Sequence, residues 1–118
     1  MSGLPELREP SMPSFSRHDD FFGASLITGP SSAQVRLRFA DDHDGPPAVT
    51  VLAPDKHFGN PSDAEVAASV SSAVDQANAR FGVLYRAAAI QYQSDNDAKC
   101  RLIERAAYLI VASRYGRR

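Results

Sequence analysis

Apolar residues follow two different rhythms along the chain. In "AQVRLRFA" (33–40), Val35, Leu37 and Phe39 alternate with Gln34, Arg36 and Arg38, the period of two that marks a half-buried strand. "PAVTVLA" (47–53) is rich in β-branched residues and predicts the next strand. The polar stretch between them, "FADDHDGPP" (39–47), then reads as the long loop of an antiparallel hairpin. An earlier apolar run, "FFGASLIT" (21–28), closes on the turn signal "GPSS" and predicts a strand before these two. In "LYRAAAIQYQ" (84–93) three alanines leave a helix possible. The Gly82 before it, the "SDND" after it, and Ile90 with two tyrosines inside favour a strand.

The other rhythm has steps of three and four. Val66, Val70, Val74, Ala77 and Phe81 form one apolar stripe, with Ser69, Ser72, Asp75 and Gln76 opposite. Ser62 and Glu65 stand at capping-box spacing, so this helix should begin near Ser62 and stop at Gly82. Leu102, Ile103, Ala106, Leu109, Ile110 and Ser113 make the stripe of a second helix that ends at Gly116. The polar residues from Ser94 to Asp97 supply its N-cap candidates.

The predicted order is therefore β-β-β-α-β-α, an α+β two-layer sandwich. Two helices apolar on one side are best buried together on one face of a four-stranded sheet. The other face, with Gln34, Arg36, Arg38 and Thr50, is left to water or a partner. Residues 1–20 hold Pro5, Pro10 and Pro13 with little apolar periodicity and read as a flexible arm, so 21–118 is the single domain.

Composition narrows the possible functions. No apolar run is long enough to span a bilayer, and the first twenty residues lack the basic and apolar regions of a secretory signal. Cys100 is the only cysteine, which excludes an internal disulfide and any multi-cysteine metal site. A reducing cytoplasm is the expected location. The net charge of −1 is unevenly spread, because residues 99–118 carry six cations against Glu104 alone. A basic end can attract nucleic acid or an acidic protein. Complementing the negative end of a C-terminal helix is the simpler reading.

Three clusters are candidates for chemistry. Asp41, Asp42, His43 and Asp44 concentrate acids beside a histidine, yet they lack the alternating spacing and terminal glutamate of a calcium loop. Asp, Gly and Pro are also turn formers, so the loop reading outweighs a metal site. His57, beside Asp55 and Lys56, suits acid/base work, but no motif ties a nucleophile to it. Arg101, Arg105, Tyr108 and Tyr115 share one face of the second helix, where cations beside rings suit RNA. An overall charge of −1 argues instead for a solvated or protein-binding face. Cys100 heads the same helix without a histidine nearby and reads as a structural thiol.

The segments "VSSAVDQANA", "AAAIQYQ", "SDND" and "AAYLIVAS", in this order after three strands, resemble domain IV of elongation factor G. The topology is that of the ribosomal protein S5 domain 2-like fold, over roughly residues 21–115. The resemblance implies contact with RNA or the ribosome. The family's glycine-rich tip loop is reduced here to "GPSS", and its second tip loop to "QSDND" without histidine, so no functional residue carries over. The phosphate-cradling motif of a GTPase is missing from the sequence. The leading expectation is a non-catalytic module binding a protein partner or forming a homodimer, with no cofactor and no metal. An RNA- or ribosome-contacting module is the alternative, and a small enzyme using His57 the weaker one. Arg36, Arg38, Arg101, Arg105 and Tyr108 are the expected binding residues.

Overall fold

The strand alternation is realised in a five-stranded mixed sheet with its apolar side roofed by two helices. The computed structural model describes residues 13–28, 31–40, 45–52, 61–95, 97 and 99–116. In chain order the elements are β1 (Ser14–His18), β2 (Phe21–Thr28), β3 (Ser31–Phe39), β4 (Ala48–Val51), α1 (Asp63–Phe81), β5 (Ala87–Asp95) and α2 (Arg101–Gly116). The spatial order is β1-β2-β3-β5-β4, antiparallel throughout except for the parallel pair β4 and β5.

Register explains which side chains are buried. Val35 lies between Ala24 and Tyr92 on the neighbouring strands, and Leu37 between Phe22 and Ile90. These residues point to the helices, and Val35, Leu37, Ile90 and Tyr92 are fully buried. Each such aliphatic side chain contributes about 1.5 to 3 kcal/mol on leaving water. Gln34, Arg36 and Arg38 alternate to the other face, opposite Gln93, Gln91 and Ala89 on β5. Near the end of this ladder Arg38 pairs with Ala89 but Phe39 with Ala87. The extra residue, Ala88, makes a bulge, and Ala87 and Ala88 are both buried as a result.

The expected hairpin between residues 33–40 and 47–53 does not form. Instead β5 enters between β3 and β4, and β4 runs parallel to β5 after the α1 crossover. β5 presents buried side chains along most of its length, and that favours a central place. The four-residue β4, half exposed, suits an edge. The eight residues from 40 to 47 easily span the extra strand width of ~5 Å.

A second correction concerns strand number. The expected four strands are joined by β1, which falls within residues 1–20 and pairs with β2 from Ser14↔Ser25 to His18↔Phe21. A two-residue turn, Asp19-Asp20, connects them, with Asp19 in the left-handed region at φ 59°. Aspartate tolerates that region because its short side chain can bond locally.

The helix signals hold. Ser62 Oγ accepts from the Glu65 amide at 3.2 Å, while Glu65 Oε1 accepts from the Ser62 amide at 2.9 Å. Val66, Val70, Val74 and Ala77 are buried, Phe81 is partly so, and Gly82 closes the helix at φ 68°. The Asn78 side chain then clamps the exit, donating to the Tyr85 carbonyl at 2.8 Å and accepting its amide at 3.0 Å. At α2 the cap is unusual. Cys100, the residue before the helix, adopts φ 58°, and Asp97 reaches in from further back. Its two carboxylate oxygens accept the Leu102 and Ile103 amides at 3.0 and 3.1 Å.

Candidate functional site

Both helices pack on one side, and among the described residues no element covers the other side of the sheet, a surface built from alternate strand positions. Ser16 and His18 on β1, Gly23 and Ser25 on β2, Gln34, Arg36 and Arg38 on β3, Gln91 and Gln93 on β5, and Thr50 on β4 all face it. Its chemistry is that of hydrogen-bond donors. Arg36 donates to Gln91 Oε1 at 3.4 Å, a long bond, and its buried Nε has no acceptor among the described residues. Arg38 approaches Asp20 at 3.9 Å, an exposed pair that water and salt screen heavily. His18 Nε2 and Ser16 Oγ are 3.2 Å apart. Gly23 makes the room: a Cβ there would stand 2.6 Å from Ser16 Oγ and 3.3 Å from the Arg36 stem. Ile27, 56% exposed, and the half-buried Phe21 are large apolar side chains on this face.

The five expected binding residues divide between opposite sides of the molecule. Arg36 and Arg38 belong to the open sheet face. Arg101, Arg105 and Tyr108 instead line a groove of about 440 Å³ on the helical layer, together with Ala73, Gln76, Glu104 and Leu109. Tyr108 is held there by Phe81, ring centroids 5.9 Å apart and tilted by 52°. Glu104 places a carboxylate among the arginines, so the groove is less cationic than the helix sequence implies. The side chain of Tyr115 lies outside the described residues, as do Asp41 to Asp44 and the segment with Asp55, Lys56 and His57.

No protein-family model, curated protein or solved structure matches this chain. Among the described residues no group of histidine, cysteine and acidic side chains could hold a metal ion. Among them, too, no helix is long and apolar enough to cross a membrane.

The one thiol is tied into the fold. Cys100 is 2% exposed, and burial pushes its thiol above the ordinary value. A hydrogen bond with Ser69 works the other way, while Asp97, Glu65 and Glu104 add to the rise. A raised thiol stabilises the folded state fully below its unfolded value, and that contribution is lost as pH rises through the folded one. Stability should therefore fall above the ordinary thiol value of 9.0, and the Cys100→Ala variant should lose part of that slope. Urea unfolding at stepped alkaline pH measures it; parallel slopes in the two proteins would remove Cys100 as the cause.

Sequence reasoning missed two arginines. Arg17 on β1 and Arg114 near the end of α2 both stack on Phe22, with Cζ 4.9 and 3.9 Å from the ring centroid. Arg114 also lies 5.4 Å from the Tyr85 ring, and the rings continue from Phe22 through Phe39 to Tyr85. The alternation of Phe15 and Arg17 with Ser14, Ser16 and His18 was the available signal for β1. Nothing local links Arg17 to a residue ninety-seven positions later.

Proposed function

We propose that the protein is a non-catalytic binding module that docks a protein partner, or a second copy of itself, on its open sheet face. The observation that carries this reading is a sheet that the described helices cover on one side, whose other side gathers arginine and glutamine side chains from adjacent strands. Such groups recognise carbonyl and carboxylate surfaces, and arginine in particular is enriched where proteins meet. The half-buried Arg36, with an unsatisfied Nε among the described residues, is the natural centre of the contact.

The second reading is an RNA- or ribosome-contacting module like domain IV of elongation factor G. It is favoured by the convergence of Arg101, Arg105 and Tyr108 in one groove, where phosphates and stacked bases could be held. The weaker alternative, a small enzyme using His57, falls on a segment outside the described residues.

Site-specific photo-crosslinking separates the two readings. A crosslinker at Gln93 samples the open face, and one at Ser72 or Gln76 samples the helical layer. Capture of a protein from Gln93 alone, surviving nuclease and lost in the Arg36→Glu/Arg38→Glu variant, is the expected result. Capture from Gln76 that vanishes with nuclease and with Arg101→Glu/Arg105→Glu would transfer the function to the helical groove. Sedimentation of the purified protein shows whether the partner is a second copy.

A further inference from the structure

A cleft of about 310 Å³ opens between β1, β2 and the last turns of α2, lined chiefly by Phe15, Arg17, Phe22, Ile110, Ser113 and Arg114. Two guanidinium groups meet there on one aromatic ring. Their distances to the Phe22 centroid, 4.9 and 3.9 Å, keep the two charges within a Debye length (~10 Å at 0.1 M salt) of one another. Ring faces attract each cation but do not cancel its charge. Among the described residues no carboxylate makes an ion pair with either arginine; the pair they contain joins Arg38 to Asp20. The Nε of Arg114 is buried and has no acceptor among the described residues. Arg17 Nε donates to the Asp19 carbonyl at 3.0 Å, so the site holds two like charges beside the cleft and, among the described residues, one unpartnered donor, Arg114 Nε.

We propose that this cleft binds a small organic oxyanion, a phosphate or carboxylate carried on an apolar group. Guanidinium forks match both anions with paired hydrogen bonds, and Ser113 adds a hydroxyl on the same side. Phe15, 47% exposed, and the buried Ile110 provide the apolar wall. The volume is at the lower end of the range for small-molecule sites, which suits a single-ring ligand. The cleft shares Ser16 and Gly23 with the open sheet face, but its arginines are Arg17 and Arg114 and not Arg36 and Arg38, so either assignment can fail alone.

Titration of the full chain with phenyl phosphate, benzoate and inorganic phosphate, followed by NMR, tests the proposal. Saturable shifts of the Arg17 and Arg114 Nε–Hε signals with phenyl phosphate or benzoate are expected. The preferred of these two identifies the head group. Phenyl phosphate should bind at least ~10-fold more tightly than inorganic phosphate, because its ring leaves water. Arg17→Gln should weaken binding about 10-fold by removing a charged hydrogen bond, and Arg114→Lys should weaken it as well. Arg17 is exposed, so its variant remains informative should the Arg114 variant not fold. Linear, unsaturable shifts with both organic anions, or affinity unchanged in Arg17→Gln, would overturn the assignment.

Discussion

Replacing Tyr92 by alanine is expected to destabilise the protein by about 3 to 5 kcal/mol, the range for removing a large aromatic side chain from a core. Tyr92 heads the fully buried side chains by volume and has no exposed surface. It sits on the inner strand β5 between Val35 of β3 and Val51 of β4, on the side covered by the helices. Its hydroxyl donates to Asp63 Oδ1 at 3.0 Å, with the Pro61 carbonyl at 3.4 Å as the poorer acceptor. Burial first, and the bond to Asp63 second, hold that hydroxyl above the ordinary tyrosine range, so it remains a donor. Tyr92→Phe keeps the ring and removes only the bond, at an expected cost of about 1 kcal/mol. Urea unfolding of the pair measures the difference. Equal losses in the two variants would mean that the hydrogen bond, and not packing, dominates at this position.

Asp97→Ala is expected to cost about 2 to 3 kcal/mol, above the usual cap value of ~1, because a part-buried and a buried amide lose a charged acceptor together. Asp97 is 6% exposed, and its carboxylate meets the Leu102 and Ile103 amides near the start of α2. Ile103 is itself buried, so water cannot readily replace the carboxylate there. Asp97→Asn retains one acceptor oxygen and should lose roughly half as much. Asp95→Ala, at an exposed position two residues earlier, is the control and should stay within ~0.5 kcal/mol. Denaturant midpoints for the three variants decide it. A control as damaging as Asp97→Ala would assign the loss to the chain segment and not to the cap.

Local signals in the sequence were sufficient where the physics is local. The serine-to-glutamate spacing at Ser62 and Glu65 marked the start of α1, and Gly82 its end, because caps involve residues within one turn. The alternation around Val35 and Leu37 placed β3 and put its arginines on the face away from the helices. Strand order was not legible in the same way. Residues 33–40 and 47–53 are near neighbours in sequence, but their separation by β5 depends on contacts formed through α1. β1 was hidden because all five of its residues are exposed and its short Asp19-Asp20 turn carries no glycine. The expected binding residues were found as surface positions. Their division between sheet and helices, and the meeting of Arg17 with Arg114, follow only from tertiary packing.

The inner position of β5, between β3 and β4, also sets a timetable for the newborn chain. The meander of β1, β2 and β3 can pair as soon as residues 14–39 are available. At that stage one edge of β3 is bare, and Val35 and Leu37 have no roof. Both lacks are made good only when residues 87–95 insert beside β3 and 101–116 cover it. Contacts that distant in sequence form slowly, because the loop must close before they give any return. A chain that stops after Phe81 would retain an unpaired strand edge beside an apolar surface, the combination that leads to aggregation. Residues 87–116 thus protect the β1–β3 meander, and the exposure to aggregation ends when α2 docks.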